Sequence, residues 1–236
     1  MPPPAKVCVV VPTYDEKENV APLVESIEQL AMPGLSLLFV DDNSPDGTGD
    51  EVMRLSAGRP WISLHGRPKK MGIGSAYQDG FKAAIASLVP DVLVEMDADL
   101  QHPASALPAL VEAINGRAGV AVASRYVPGG GISGWGRVRR TVSRGANAYS
   151  RLMLGLKVKD ATSGFRAFSR AAAQAVSEAE LPVKGFEFQV ATLHLLKDRC
   201  TIVEVPFTFS VRTAGRSKLG FSDVARFFAA VFRMAF

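Results

Sequence analysis

Cysteine is scarce in this chain, and so are long apolar runs. Its 236 residues contain two cysteines, Cys8 and Cys200, too few for a disulfide framework and without the spacing of a zinc site. Cys8 sits within an apolar strand pattern and reads as a buried thiol. No window reaches the ~18 to 20 apolar residues of a transmembrane helix. The opening stretch MPPPAKVCVVVP has no secretory h-region. These absences set the expectation of a reducing, cytoplasmic setting. Internal repeats and low-complexity segments are also lacking. Aromatic residues are not interleaved with the cations and no nucleic-acid motif is present, which argues against a nucleic-acid partner. The stretch Gly72-Ile73-Gly74-Ser75-Ala76-Tyr77 lacks the third glycine of a dinucleotide fingerprint and follows the third strand rather than the first. Close packing of a helix on a sheet is the better explanation of those glycines.

The composition is that of an ordinary globular protein, with 47% hydrophobic and 21% charged residues. Charge is unevenly spread. Residues 1–119 hold 9 Lys+Arg against 16 Asp+Glu, a net −7, and residues 120–236 hold 18 against 7, a net +11. A basic second half suggests an anionic partner: phosphate, nucleic acid or a membrane surface.

Short apolar runs alternate with helical patterns. Residues 6–11, 36–40, 61–65, 91–96 and 120–124 read as strands, and 18–30, 49–57, 74–88 and 104–115 as helices. In 18–30, Val20, Leu23, Val24, Ile27 and Leu30 share one face. This alternation predicts an α/β domain, a mostly parallel central sheet with helices on both faces. After Arg125 the pattern changes. Residues 127–136 read as a mobile Gly/Pro-rich loop, 141–154 as helical, 160–168 as compact and polar, 168–180 and 186–197 as helical, 201–205 as a strand and 209–220 as a basic loop. Residues 221–236 form an amphipathic C-terminal helix, suited to core packing, to a membrane surface or to a lipid groove.

Polar clusters follow three strands: Pro12-Thr13-Tyr14-Asp15-Glu16, Asp41-Asp42-Asn43-Ser44, and Asp97-Ala98-Asp99-Leu100-Gln101-His102. Strand ends on one edge of a parallel sheet line one crevice. The pair Asp97 and Asp99 repels itself unless a cation compensates. Mg²⁺ commonly takes one or two carboxylates and completes its shell with phosphates and water. Asp99 with Gln101 or a water could hold it, with His102 a further candidate. Asp42 could accept from a ribose or base, Tyr14 could stack on a base, and Glu16 could reach the ribose. Arg125, Arg137, Arg139, Arg140, Arg144, Arg212, Arg216 and Lys218 suit phosphate oxygens.

Taken together, VVPTYDEKEN (10–19), VDDNSPDGT (40–48), MDADLQHP (96–103), SRY (124–126) and DATSGFR (160–166) resemble the inverting family 2 glycosyltransferases. More closely, they are similar to the polyprenol (dolichyl) monophosphate mannose synthases. The resemblance implies a GT-A fold over residues 1–220, with 221–236 as an appended helix. It implies a GDP-mannose donor, a polyprenyl phosphate acceptor and a divalent cation, Mg²⁺ or Mn²⁺. It places Pro12, Tyr14, Glu16, Val40 and Asp42 at the nucleoside. Asp97, Ala98 and Asp99 fall at the donor, with Asp99 and Gln101 at the metal. Arg125, Arg212 and Lys218 fall at donor phosphates or sugar. The loop holding Ser133, Arg139 and Arg140 falls at the acceptor phosphate. The catalytic set is then Asp97, Asp99, Arg125 and Arg212. Many members of that family carry transmembrane helices, which this sequence does not show. The expectation is a peripheral protein at the cytoplasmic face of a membrane, docking directly or beside a membrane-protein partner. Polyprenyl-phosphate glucosyl transfer from UDP-glucose, or a non-catalytic module binding nucleotide sugar or lipid phosphate, are the alternatives. Asp160 and Arg166 could orient a substrate or pin their loop through a local salt bridge.

Overall fold

A computed structural model describes residues 5–116, 118–181, 183, 185–210 and 221–236. Seven strands form one sheet in the order β3-β2-β1-β4-β7-β5-β8: β1 (Val7–Thr13), β2 (Leu35–Asp41), β3 (Ile62–Gly66), β4 (Val92–Glu95), β5 (Val120–Ser124), β7 (Arg166–Ser169) and β8 (Ile202–Pro206). All run parallel except β7, which is antiparallel to both β4 and β5. A small parallel ribbon pairs β6 (Gly131–Ile132) with β9 (Thr208–Phe209). The helices are α1 (Lys17–Glu28), α2 (Thr48–Ser56), α3 (Ile73–Ser87), α4 (Leu107–Asn115), α5 (Arg137–Leu154), α6 (Arg170–Glu178), α7 (Phe188–Leu196) and α8 (Phe221–Ala235).

Side chains alternate across a strand, so each strand feeds two cores. Val7, Val9 and Val11 of β1 pack with Leu23 and Ile27 of α1 and Leu110 of α4. Cys8 and Val10 face the other way, toward Tyr77 and Phe81 of α3, Ala173 of α6 and Leu193 of α7. Full burial of one such aliphatic side chain stabilises by roughly 1.5–3 kcal/mol. Two-sided burial explains why β1 and β2 read as continuous apolar runs.

The parallel strands present their carboxyl ends at one edge, where all three acidic clusters emerge. Because β7 runs the other way, its lead-in, residues 160–165, enters the sheet at that same edge. The sequence pattern over 160–168 left β7 unassigned as a strand. It has only four residues, and its first, Arg166, is a buried cation that breaks any apolar alternation. Helix α5 starts at Arg137, four residues before its apolar period becomes readable, because its first turn is exposed and rich in arginine. The expected mobile loop, 127–136, is instead pinned: Gly131 N–H donates to Phe207 O at 3.0 Å and Ser133 N–H to Phe209 O at 2.9 Å.

Of the two glycines in the 72–77 stretch, Gly72 takes a φ of +101°, and Gly74 serves packing, against a helix rather than the expected sheet. A Cβ at Gly74 would lie 2.8 Å from the Phe188 ring of α7. The close approach to the sheet belongs to Gly80, where a Cβ would lie 2.4 Å from Val10 Cγ1 and 2.9 Å from Val40 Cγ2. Overpacking of this kind costs about 1–3 kcal/mol. Gly80→Ala is therefore expected to lower the urea midpoint without changing the slope. Gly145→Ala, on the exposed side of α5 with no atom within 4 Å, is expected to gain about 0.5–1 kcal/mol. Equal behaviour of the two variants would contradict the packing of α3.

Candidate active site

The loops after β1 and β2 are stitched into one wall. Asp15 N–H donates to Ser44 Oγ at 3.1 Å, Glu16 N–H to Thr48 Oγ1 at 3.1 Å, and Lys17 N–H to Asp46 Oδ2 at 3.1 Å. Asp41 braces this wall, accepting from Thr13 Oγ1 at 3.0 Å and Ser44 N–H at 2.9 Å. Asp42 instead faces a cation: Arg67 Nη1 donates to its Oδ1 at 2.5 Å. Arg67 also lies 3.0 Å from Asp79 and donates to Ser75 Oγ at 2.6 Å. Burial pushes the Asp42 carboxyl up, and Arg67 opposes that shift. Lys70 Nζ sits 3.9 Å from the Tyr14 ring centroid, a cation–π contact. Sequence reasoning passed over Arg67 and Lys70 as site residues. The signal was the basic run Arg67-Pro68-Lys69-Lys70 directly after β3.

The second wall follows β4. Tyr77 Oη donates to Asp97 Oδ1 at 3.1 Å, and burial beside Asp97 keeps that phenol protonated. Asp97 N–H donates to His102 Nδ1 at 3.1 Å, which places the imidazole proton on Nε2. Burial pushes His102 down to about 4, so it is a neutral ring, stacked on Phe165 at 5.0 Å. Leu100 has φ +62°, a left-handed conformation that is strained for a branched residue. That turn lets Gln101 N–H reach back to Asp99 Oδ1 at 3.1 Å, so the two residues share one side. Gln101 Nε2 donates to Ser210 O at 3.1 Å, which orients the amide. Asp99 and Gln101 supply carboxylate and amide oxygens, donors that suit Mg²⁺ or Mn²⁺. Among the described residues no three His, Cys, Asp or Glu side chains converge into a protein-only metal cage. The pair would hold a cation only with further ligands from outside the protein.

The third wall is organised by Arg125. Its backbone N–H and Nε donate to Asp160 Oδ2 at 2.9 and 2.7 Å, and its Nη2 to Asp160 Oδ1 at 2.6 Å and Thr162 Oγ1 at 2.9 Å. Asp160 thus pairs with Arg125, not with Arg166. Arg166 is buried separately, donating to Gln189 O at 2.5 Å, Thr192 Oγ1 at 2.9 Å and Ala161 O at 2.8 Å. Glu95, its partner across the β4–β7 ladder, is fully buried; neither carboxyl oxygen makes a hydrogen bond of ordinary geometry among the described residues, and the Gln189 amide is the polar side chain that, with Arg166, favours its charged form. Burial pushes Glu95 up to about 8, against the pull of Arg166.

These walls enclose a cavity of about 340 Å³. Pro12, Glu16, Asp97, Ala98, Asp99, Gln101, Arg125 and Arg139 line it, as the sequence suggested. Tyr14, Val40, Asp42, Ser133 and Arg140 are not on its wall; the Val40 side chain is buried against α3. Arg212 and Lys218 lie outside the described residues. The far side of the cavity is apolar: Trp135, Val142, Ala146, Phe209, Val224 and Phe227. Arg139 stacks on Trp135 with its guanidinium carbon 4.0 Å from the ring centroid. Trp135, Phe209, Thr162 and Gln189 also escaped sequence reasoning, because their place on the wall depends on tertiary packing.

A profile of the family described as "Glycosyl transferase family 2" matches residues 8–177. The chain belongs to glycosyl transferase family 2. This glycosyltransferase is 37% identical over 235 residues to a polyprenol monophosphomannose synthase of Mycolicibacterium smegmatis, covering 99% of this chain and 87% of that one. It is 40% identical over 215 residues to an undecaprenyl-phosphate mannosyltransferase of Micrococcus luteus, covering 91% and 87%. It is 38% identical to a dolichol-phosphate mannosyltransferase of Pyrococcus furiosus, covering 97% of this chain and 63% of the longer relative. Its fold matches glucosyl-3-phosphoglycerate synthase of Mycobacterium tuberculosis in complex with phosphoglyceric acid, with a TM-score of 0.72 at 21% identity, covering 98% and 80%. The same enzyme in complex with Mn²⁺, UDP-glucose and phosphoglyceric acid matches with a TM-score of 0.71. The fold is thus GT-A.

Two outcomes test this glycosyltransferase site. Removing one partner of a buried ion pair typically costs about 3–5 kcal/mol. Asp160→Ala and Arg125→Ala should each approach that loss in urea unfolding, while the double variant loses much less than their sum. Simple additivity would show that the pair is uncoupled. Glu95 binds its proton more tightly when folded, since its pKa rises from 4.5 to about 8. Its contribution to stability is therefore complete below pH 4.5 and lost as pH rises through about 8. Relative to Glu95→Gln, the unmodified protein should lose stability across that window, and a flat difference would contradict the buried neutral carboxyl.

Proposed function

We propose that the enzyme transfers mannose from GDP-mannose to a polyprenyl phosphate, giving a polyprenyl β-mannosyl phosphate. The supporting observation is the composite cavity: carboxylates and a hard-oxygen metal pair on one side, an apolar wall from α5 and α8 on the other. A charged sugar donor and a lipid-borne acceptor both have a surface there. The names of the mannosyltransferase relatives support the same substrates. In this reading residues 1–220 carry the chemistry, and α8 is the lipid-facing appendage.

The acceptor phosphate is already an anion at neutral pH, so its attacking oxygen needs no dedicated base. That oxygen bonds to the anomeric carbon as the bond from this carbon to the donor's β-phosphate oxygen breaks, and the electron pair leaves with GDP. One displacement inverts an α donor to a β product. A divalent cation at Asp99 and Gln101 would neutralise charge on the departing diphosphate. The chain's own task is to bring two anions together. Asp97, braced by Tyr77, orients donor hydroxyls. Arg139, fixed on Trp135, offers its guanidinium to the acceptor phosphate at the cavity wall. Arg125, tied to Asp160, presents a fixed guanidinium edge.

No helix among the described residues is long and apolar enough to cross a membrane. Helix α5 exposes Val138 at 79% and Leu152 at 82% among Arg137, Arg140, Arg144 and Arg151; α8 exposes Phe232 at 54%, and Phe236, the residue just after it, is 90% exposed. Cations beside exposed apolar side chains suit the surface of an anionic membrane. We propose peripheral docking at the cytoplasmic face through these two helices.

The test is transfer of radiolabel from GDP-mannose to a short polyprenyl phosphate in detergent, with and without Mn²⁺ or Mg²⁺, alongside UDP-glucose. Metal-dependent, organic-extractable product from GDP-mannose alone is expected, and Asp99→Ala should reduce it by at least about a hundredfold. Product from UDP-glucose alone would overturn the donor. Nucleotide-sugar binding with no product from either would favour a binding module.

A further inference from the structure

Gly164 has neither of the usual reasons to be glycine. Its φ is not left-handed, and a Cβ built on it would meet only ordinary contacts. Those contacts are Gln189 Nε2 at 3.5 Å, Asp97 Oδ2 at 3.8 Å and His102 Cε1 at 3.8 Å. All four residues line the cavity. The missing side chain therefore leaves a small recess with an amide on one side and a carboxylate on the other.

We infer that this recess is a hydroxyl-recognition subsite, in which Gln189 and Asp97 read one hydroxyl of the hexose being transferred. A hydroxyl both donates and accepts, and the recess offers one group for each role. A phosphate oxygen is disfavoured there because it would face the Asp97 carboxylate. An apolar group is disfavoured because it would strand a buried amide. Gln189 is only 5% exposed, and the atom it turns to the recess is its Nε2, the donor of the amide, which also acts on the buried Glu95 behind it. Its backbone is fixed at the start of α7, where its carbonyl accepts from Arg166 Nη1 at 2.5 Å and Thr192 Oγ1 at 3.1 Å. Asp97 is held by Tyr77 Oη, and the carbon edge of the His102 ring closes the recess. The subsite sits beside Asp99 and Gln101, where the diphosphate would be held, so the sugar is the part of the donor that reaches it. Sites that hydrogen-bond a substrate hydroxyl discriminate against analogues lacking it far more sharply than apolar pockets do. Gln189 is thus a specificity-determining residue, and Gly164 the vacancy it needs. The inference rests on the nucleotide-hexose donor reading above.

The test compares Kd for GDP-mannose with Kd for GDP, in Mn²⁺, for the full chain and for Gly164→Ala and Gln189→Leu. The alanine methyl fits without strain, so Gly164→Ala should keep the unfolding midpoint, and it remains decisive if Gln189→Leu folds poorly. Both variants should raise the GDP-mannose Kd about tenfold, the scale of one lost buried hydrogen bond, while leaving the GDP Kd unchanged. Equal changes for GDP and GDP-mannose in Gly164→Ala, or no change in either, would overturn the subsite. Failure of the donor reading looks different: the unmodified chain would bind UDP-glucose instead, and the UDP-glucose to UDP ratio would then decide the subsite. A chain that binds neither nucleotide sugar would overturn both.

Discussion

The buried ion pair between Arg125 and Asp160 holds the site together. A fully buried carboxylate is destabilising unless charge and hydrogen bonds compensate it. Asp160 receives three donors from Arg125 alone. Its own N–H donates to Glu204 of β8 at 3.0 Å. Thr162, two residues on, accepts from Arg125 and exchanges hydrogen bonds with Asn147 of α5. One pair thus joins the end of β5, the lead-in to β7, the edge strand β8 and helix α5. The floor of the cavity at Gly164 and its far wall along α5 take their positions from that junction.

Topology is what makes the pair possible. A fully parallel sheet would carry residues 160–165 to the opposite edge. By inserting β7 antiparallel between β4 and β5, the chain returns this segment to the edge where Asp97 and Asp99 emerge. The same insertion buries Arg166 beside Glu95, directly behind the acidic turn. Charge is then sorted by depth and side. Carboxylates gather where a cation and hydroxyls would be held, and arginines lie along α5 and the loop before it. The imbalance between the two halves of the sequence is the one-dimensional trace of that separation.

The acidic clusters were legible because each follows an apolar strand, and parallel strands leave their carboxyl ends on one edge. The parallel sheet and its two-sided helical cover followed from the same alternation. Asp99 and Gln101 were legible as neighbouring oxygen donors from residue type and spacing, though not the strained Leu100 that brings them together. Other features depended on long-range pairing. β7 is too short and too polar at its start to show a period. The partner of Asp160 is 35 residues away, whereas a local salt bridge with Arg166 looked simpler in the sequence. Arg67 reads as one of several surface cations until burial beside Asp42 distinguishes it. Gln189 lies in a helix that is apolar nearly all round, so nothing local marks it as a wall residue.

The proposed union of a polar donor site and an apolar acceptor wall in one cavity is tested most directly by photolabelling. A polyprenyl phosphate bearing a benzophenone near its phosphate would be crosslinked to the GDP-loaded protein, and the adducts mapped by mass spectrometry. Adducts should fall on Trp135, Val142 and Ala146 and on Val224 and Phe227, and should be displaced by unlabelled polyprenyl phosphate. Displaceable adducts concentrated on the opposite face of the sheet, along α1 and α4, would contradict the shared cavity.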